Sequence, residues 1–352
     1  MFGTYRTFLA LIVVVHHLIS IPIIGHYAVH GFFILSGYLM TFVMNVSYGY
    51  SLRGIRAFSI NRFLRLYPSY WVVLLLTLLS IAFFGESNAI KYREFVFFPN
   101  SIQSILQNVS LLYIDLFPTN VSPRLSPPTW ALTIEIIFYI LIALGISRSK
   151  RITTVWFFLS ILYMALTHVL DLGYSFRYNI IFAGTLPFSM GAMIYHYYNA
   201  LEKLLLKSIP DHAIAILFFV FILNSGLAIY GNEVNMPNGI QSFFFYVNYL
   251  VNALIIIKLV DGKIPYLSKK DDYLIGLYSY PVYLAHWQAG FVASMIIWGE
   301  PVRGWNVQGG VSLLLAMVIC FILSLLIIRY VDTPIERFRK RIKQSIDNVT
   351  AN

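Results

Sequence analysis

Long apolar stretches separated by short polar segments dominate the sequence. A membrane-crossing helix needs about 20 mostly apolar residues, because a helix rises only about 1.5 Å per residue. Ten stretches approach this length, and they lie near residues 5–22, 27–46, 66–84, 130–147, 152–170, 178–197, 213–230, 240–257, 273–298 and 310–330. The pattern therefore predicts an all-α, polytopic integral membrane protein with about ten transmembrane helices.

The longest interruption of this pattern, residues 85–129, contains a further apolar piece between Ile102 and Phe117. The piece is short for a span, so we expect it to lie in the interface or to re-enter the membrane. No tandem repeat or linker marks a second domain. We therefore expect one transmembrane domain over residues 1–338 and a basic cytoplasmic tail over residues 339–352.

The composition agrees with lipid as the main solvent. Hydrophobic residues make up 59% of the chain and charged residues only 11%, whereas soluble domains carry about 25% charged residues. The first apolar stretch contains His16 and His17 and lacks a following cleavage site, so we predict a retained helix rather than a signal peptide. The single Cys320 excludes a disulfide within the chain and a cysteine-based metal site.

The net charge of +10 reflects the distribution of lysines and arginines. If the N-terminus is cytoplasmic, 20 of the 25 lysines and arginines fall in cytoplasmic segments, as the positive-inside rule requires. The other five are Lys91, Arg93, Arg124, Arg177 and Arg303. This bias predicts that both termini are cytoplasmic. Nucleic-acid binding is not expected, because no basic–aromatic module is present.

Ionisable residues within membrane helices are costly to bury, so each is a candidate functional residue. Arg6 and His17 are eleven residues apart, so on a helix they share one face and lie about 16 Å apart along its axis. The permanently charged Arg6, near the cytoplasmic mouth, can hold a phosphate, and His17, at depth, can act as a general base. The spacing suits a long donor that enters from the cytoplasm. The alternatives are a membrane anchor for Arg6 and a hydrogen-bonded packing residue for His17.

Three more charged residues extend this pattern. Arg62 and Arg65 lie three residues apart at the predicted start of the third helix, on one face, where they either bind phosphates or anchor the helix. Glu135 lies about 7 Å below Trp130 in the fourth helix. We expect its carboxylate to orient an imidazole or a sugar hydroxyl; the alternative is a structural partner for a distant arginine.

His286 lies about 13 residues into the ninth predicted helix, so it has the same depth as His17 and the two can line one cavity. Ser36 and Ser279 offer hydroxyls, or close helix packing. A metal site is not expected, because the adjacent His16 and His17 point in different directions, unlike the i,i+4 pair of zinc sites. A serine hydrolase is not expected either, because no Gly-x-Ser-x-Gly motif occurs.

Six segments resemble motifs of the membrane acyltransferase-3 family and follow one another in the family's order. They are Arg6-(ten residues)-His17, VHGFFILSGYLM (Val29 to Met40), RFLRLYPSYW (Arg62 to Trp71), PPTWALTIEIIFY (Pro127 to Tyr139), YSYPVYLAHW (Tyr278 to Trp287) and VDTPIERF (Val331 to Phe338). The resemblance covers the chain from residue 5 to about residue 338. It departs from the family at His30, where many members carry an aspartate.

The resemblance implies transfer of an acyl group, usually acetyl from acetyl-CoA, to a hydroxyl of a carbohydrate. Many bacterial members modify O-antigen lipopolysaccharide, capsule or exopolysaccharide, so the resemblance implies a transferase of the bacterial inner membrane. Some members carry a fused extracytoplasmic hydrolase-like domain, for which the sequence to residue 352 has no room, so we expect a stand-alone transferase. The implied catalytic residues are His17, Glu135 and Arg6. The implied donor-binding residues are Arg6, Arg62, Arg65, Ser36 and Tyr67. The implied acceptor-binding residues are Trp130, His286, Ser279 and Tyr283. His17 either deprotonates the acceptor hydroxyl or first accepts the acyl group itself.

Two other functions remain open on the sequence alone. A proton-coupled transporter or flippase of a glycan or small molecule would use intramembrane histidine and glutamate as a proton relay. Such proteins often consist of two related halves with broken helices, and no internal repeat occurs here. A non-catalytic scaffold is the second alternative. Consumption of acetyl-CoA separates the transferase from both.

Overall fold

The structure, a computed structural model, describes residues 1–205, 210, 213–262 and 264–339. These residues are mostly helical, and no strand occurs among them. Of the predicted basic tail, only Arg339 lies in the described part of the chain.

Thirteen α-helices with both ends described follow one another along the chain, and residues 333–339 are also α-helical. The thirteen are α1 (Gly3–Leu18), α2 (Ile24–Val43), α3 (Leu52–Phe84), α4 (Glu86–Tyr92), α5 (Ile102–Ser110), α6 (Trp130–Ala143), α7 (Lys150–Val169), α8 (Ser175–Tyr178), α9 (Thr185–Leu205), α10 (Ala213–Glu233), α11 (Asn238–Asp261), α12 (Lys269–Trp298) and α13 (Val307–Ile327). All except α4, α5 and α8 coincide with the ten apolar stretches of the sequence. Short π-helical segments extend α2 and α13.

Six helical segments of the described chain are long and apolar enough to cross a membrane. They are Ile24–Tyr48, Leu52–Phe84, Lys150–Val169, Ala213–Glu233, Asn238–Val260 and Val307–Arg339. An all-helical, multi-pass architecture is thereby confirmed. Helices α1 and α6 are shorter than such a span, and α9 and α12 are more polar. The count of ten spans and the cytoplasmic side of the termini stay predictions.

Helix α3 is longer than its apolar stretch predicts. It begins at Leu52 rather than near residue 66, because the Ser51 side chain accepts a hydrogen bond from the Gly54 N–H (3.2 Å) and caps the helix. Its 33 residues span roughly 50 Å, more than the hydrocarbon core of a bilayer. Arg62 and Arg65 therefore lie inside the helix and not at its start. Hydropathy alone does not detect a polar helical extension beyond the lipid.

The interruption between α3 and α6 contains α5, whose apolar residues point outward. The exposed residues of α5 include Ile102, Ile105, Leu106 and Val109, whereas Ser104 and Asn108 are buried. A short helix with an outward apolar face suits the membrane interface. Residues 111–117 are not helical, so the predicted piece does not form a span.

Helices α1 and α12 pack side by side and run in the same direction. At one end, Asp272 accepts hydrogen bonds from the backbone N–H groups of Gly3 (3.0 Å) and Thr4 (2.9 Å), which have no partner within α1. His17 and His286 meet equally far along the two helices, because the His17–His286 pair and the Gly3–Asp272 pair have the same sequence separation of 269 residues. Since each helix rises equally per residue, this parallel pair sets the depth of the histidines.

Glycines allow α2 and α9 to approach closely. A Cβ atom on Gly37 would meet the backbone carbonyl of Phe188, and one on Gly191 would meet the carbonyl of Ile34. Backbone atoms of packed helices cannot move aside as the end of a flexible side chain can, so this crossing depends on residues without side chains.

We expect Gly37→Val to lower the melting temperature of the purified protein by several degrees, because overpacking costs about 1–3 kcal/mol or more. Thermal unfolding in detergent measures the effect. Gly226→Val is the matched control, because a Cβ on Gly226 of α10 meets nothing within 4 Å. Equal melting temperatures for the two variants would show that the glycine crossing is not needed.

Candidate active site

Two cavities lie at different levels along α1. The Arg6 cavity, of about 120 Å³, is lined by residues that include Arg6, Ser36, Arg62, Arg65, Ala131, Leu132, Glu135, Tyr139, Ser279 and Tyr283. The His17 pocket, of about 520 Å³, is lined by residues that include His16, His17, His26, Arg93, Glu94, Arg124, Pro127, Trp130, Tyr178, Trp287 and Arg303. The charged residues of the sequence motifs therefore divide between two compartments.

A histidine pair lies at the edge of the His17 pocket. His17 Nδ1 is 2.8 Å from His286 Nε2, and the two rings are nearly parallel. His286 Nδ1 is 2.8 Å from the backbone carbonyl oxygen of Tyr283. Because a carbonyl only accepts, a neutral His286 carries its proton on Nδ1, and its Nε2 accepts a hydrogen bond from His17 Nδ1–H. A neutral His17 then has its lone pair on Nε2.

The surroundings leave this lone pair available. His286 is fully buried and lines neither cavity, whereas His17 is only partly buried. No described residue forms a hydrogen bond with His17 Nε2. The sequence placed His286 among acceptor-binding residues, but the structure places it behind His17. His286 contacts His17 in this structure, and its predicted contact with an acceptor stays a prediction.

The Arg6 cavity combines three arginines with one carboxylate. The Glu135 carboxylate accepts hydrogen bonds from Ser36 Oγ (2.5 Å) and from the Tyr139 hydroxyl. It forms no ion pair with these arginines. The Nε atoms of Arg6 and Arg62 are buried without partners. Buried donors usually have acceptors, so this cavity is suited to an anionic ligand.

Glu135 does not lie beside His17. It shares the Arg6 cavity with its hydrogen-bond donors Ser36 and Tyr139, whereas the described partner of the His17 side chain is His286. The expectation that Glu135 orients an imidazole therefore has no counterpart in this structure. Helical depth alone did not indicate which neighbour Glu135 faces.

The remaining predicted site residues lie in different places. Ser36, Ser279 and Tyr283 line the Arg6 cavity, and Trp130 lines the His17 pocket. Tyr67 lies outside both, because it lines a separate apolar crevice and its hydroxyl donates to the Ser110 carbonyl (2.6 Å). The residues predicted to bind the acceptor are thus divided between the two cavities, and those predicted to bind the donor do not all line one cavity.

A thin wall at the start of α6 separates the cavities. Pro127 and Trp130 line the His17 pocket, whereas the next residues, Ala131 and Leu132, line the Arg6 cavity. The Tyr283 hydroxyl joins α12 to this wall by donating to the backbone carbonyl of Pro128 (2.8 Å). A ligand that reaches from one cavity to the other must displace part of this wall.

Sequence reasoning missed three arginines of the His17 pocket: Arg93, Arg124 and Arg303. Arg124 donates to the backbone carbonyls of its own loop, and burial lowers its pKa to about 10, so it stays charged at neutral pH. Burial also lowers the pKa of Arg93, and the nearby charge of Arg303 lowers it further. The available signal was that all three belong to the five cations that violate the positive-inside bias.

Comparison with known proteins gives the family. A family model described as an acyltransferase domain, that of the membrane acyltransferase-3 proteins, matches residues 4–329. Neither the search of curated proteins nor the search of solved structures returned a match. The match covers nearly the whole chain, including both cavities and the histidine pair. The chain therefore belongs to the membrane acyltransferase-3 family and is a multi-pass membrane acyltransferase.

Proposed function

We propose that this acyltransferase moves an acetyl group from acetyl-CoA to a hydroxyl of a cell-envelope carbohydrate, such as O-antigen, capsule or exopolysaccharide. The observation that carries the proposal is that Arg6 and His17 lie at two levels of one helix, each in its own cavity. Family membership supports acyl transfer and favours it over the transporter alternative. The donor, the acceptor and a location in the bacterial inner membrane are the proposed parts.

The Arg6 cavity is the proposed site for the phosphates of coenzyme A. Arg6, Arg62 and Arg65 surround it, and guanidinium groups bind phosphate through charge-assisted, often bidentate hydrogen bonds. Coenzyme A carries its phosphates at one end and the thioester at the other. The separation of about 16 Å between Arg6 and His17 along α1 suits a donor whose head is held while its acyl end reaches inward.

The reaction uses the lone pair of His17 Nε2. In direct transfer, Nε2 takes the proton of the acceptor hydroxyl while the hydroxyl oxygen attacks the thioester carbonyl. The C–S bond breaks as the new ester forms, and the thiolate takes the proton back from Nε2. In the covalent route, Nε2 attacks the thioester carbonyl and the C–S bond breaks, which releases the thiolate. The acceptor oxygen then attacks the acyl group on His17, the C–N bond breaks, and the hydroxyl proton passes to the thiolate. In both routes the acceptor atom of His286 stabilises the positive charge on His17, as a hydrogen-bond acceptor behind a catalytic histidine does.

The proposal requires two movements. A cavity of about 150 Å³ holds a molecule the size of benzene, so the Arg6 cavity, at about 120 Å³, must widen before it takes coenzyme A. The acyl end must then pass the wall that the Tyr283–Pro128 hydrogen bond holds in place. Opening steps of this kind commonly limit the turnover of enzymes.

We expect the purified protein in lipid nanodiscs to release free coenzyme A from acetyl-CoA only when an acceptor glycan is present. Thiol release measures donor consumption, and mass spectrometry of the glycan detects the ester. Butyryl-CoA and succinyl-CoA in parallel reactions define the acyl group. Glycan translocation without binding or consumption of acetyl-CoA would contradict the proposal and favour the transporter.

A further inference from the structure

The part of the His17 pocket formed by loops carries uncompensated positive charge. Arg93, Arg124 and Arg303 line it, with Glu94 as the acidic residue among its lining side chains. Arg124 is held by backbone carbonyls. The side chains of Arg93 and Arg303 form no hydrogen bond or ion pair with any residue in the described part of the chain. Two arginine side chains are thus free to bind a ligand.

Trp287 links these two arginines to His17. Its ring lies 5.5 Å from the Arg93 guanidinium carbon, 5.2 Å from that of Arg303 and 5.2 Å from the His17 ring. Each guanidinium is therefore separated from the His17 ring by no more than two contacts of about 5 Å. All of these side chains line the His17 pocket, so one ligand in that pocket can contact the arginines with one group and His17 with another.

The same region contains buried donors without acceptors. Trp287 is 3% exposed, and its indole N–H has no partner. Arg93 Nε is also buried and unpartnered. Because buried donors in folded proteins almost always have an acceptor, these groups indicate a ligand that brings oxygen atoms. Two like charges on one pocket also repel each other, and a bound anion relieves that repulsion.

The aromatic residues of the pocket suit a sugar ring. Trp130, Tyr178 and Trp287 line it, and Trp130 packs edge to face on Tyr178 with ring centroids 5.1 Å apart. Small-molecule sites combine such aromatic surfaces with a few placed polar groups. Here the polar groups are cationic, so the fitting ligand is a sugar that carries an acidic group.

We propose that the acceptor is an acidic glycan. Arg93 and Arg303 bind the carboxylate or phosphate of one sugar unit, while His17 acts on a hydroxyl of the same or the next unit. This inference rests on the proposed function, because it assigns the acceptor of the same reaction. A uronic acid and a sugar phosphate present the same oxygen atoms to a guanidinium pair, so the experiment includes both.

The test measures binding without donor, so that it does not depend on catalysis. Full-length protein in nanodiscs of neutral lipid is titrated by calorimetry with three matched oligosaccharides, which carry glucuronate, glucose 6-phosphate or glucose at one position. The variants are Arg93→Gln, Arg303→Gln and the double variant. Lys91→Gln is the matched control, because Lys91 is an exposed cation of α4, two residues before Arg93, that does not line the pocket.

We expect one of the acidic oligosaccharides to bind wild-type protein about tenfold or more tighter than the neutral one, as charge-assisted hydrogen bonds imply. The preference should fall to about threefold or less in the double variant, persist in Lys91→Gln and weaken with salt. If the double variant does not fold, Arg303→Gln and Arg303→Lys carry the comparison, with the preference lower in the glutamine variant.

Equal binding of acidic and neutral oligosaccharides by the wild type would overturn the inference. So would a preference that survives in the folded glutamine variants, or binding of free acetate, inorganic phosphate or anionic lipid as tight as that of the acidic glycan. Acyl transfer to a neutral glycan without any acidic preference would leave the proposed function standing and refute this inference. Tight, arginine-dependent binding of the acidic glycan without acyl transfer would support the acidic-glycan site and contradict the proposed function.

Discussion

Replacing His17 with alanine is expected to lower the rate of acyl transfer by about 10²- to 10⁴-fold, the usual contribution of a general base. The substitution removes the Nε2 lone pair, which accepts no hydrogen bond from any other described side chain. Initial rates of coenzyme A release, with donor and acceptor saturating, measure the effect. The melting temperature should change little, because His17 is only partly buried at the edge of a pocket.

The partner of His17 provides the matched comparison. His286→Leu leaves His17 Nδ1–H without its acceptor, whereas His286→Gln retains a side-chain oxygen that can accept the bond. We expect the leucine variant to lose turnover while keeping its Michaelis constant for acetyl-CoA, and the glutamine variant to recover part of the turnover. His168→Ala should leave the rate unchanged, because His168 is exposed and lines neither cavity.

The outcomes separate catalysis from packing. A folded His17→Ala protein that transfers acetyl groups at the wild-type rate would remove the catalytic role of His17. If His286→Leu and His286→Gln lose equal activity and equal thermal stability, His286 acts through packing alone. Exogenous imidazole should restore part of the activity of His17→Ala, because it can enter the space that the side chain leaves in the pocket.

Replacing both Arg62 and Arg65 with glutamine is expected to raise the Michaelis constant for acetyl-CoA by about 10- to 100-fold, with a smaller change in turnover. Each guanidinium provides charge-assisted hydrogen bonds to phosphate, worth about 1.5–3 kcal/mol each. Both arginines line the Arg6 cavity and are free of carboxylate partners among the described residues. Steady-state kinetics with varied acetyl-CoA measures the change.

A donor without phosphates sharpens this prediction. Acetyl-pantetheine has the thioester but lacks the phosphates, so the double variant should use it as poorly as the wild type does. Arg56→Gln is the matched control, because Arg56 is exposed on the same helix and does not line the Arg6 cavity. An equal rise for Arg56→Gln would indicate a general effect of surface charge. An unchanged Michaelis constant for acetyl-CoA in the double variant would show that the donor binds outside the Arg6 cavity.

Much of the one-dimensional organisation of this protein could be predicted from its sequence. Hydropathy located ten of the helices, because lipid-facing and core-facing residues are apolar in either setting. It did not find the start of α3, where Ser51 caps a polar extension that lies beyond the apolar run. It also did not show that α5 turns its apolar residues outward, since composition alone does not specify which face of a short helix is buried.

The levels of Arg6, His17 and His286 were likewise properties of the sequence, whereas those of Arg62 and Arg65 were not. A constant rise per residue placed Arg6 and His17 on one face of α1 and gave His286 the same depth as His17. The parallel packing of α1 and α12 then brought the two histidines to 2.8 Å. At the other end of this pair, Asp272 accepts hydrogen bonds from the N-terminus of α1 in the same register.

By itself, the sequence determined ten of the helices, the shared face of Arg6 and His17 and, through its ordered motifs, the family. Only the tertiary structure decided which polar groups share a cavity. It placed Arg6 and His17 in separate cavities on either side of the start of α6. It placed the Glu135 carboxylate beside the hydroxyls of Ser36 and Tyr139. It also brought the guanidinium groups of Arg93 and Arg303 to the ring of Trp287. The physical reason is that helical spacing specifies height and direction on one helix, whereas lateral neighbours depend on how helices and loops pack together.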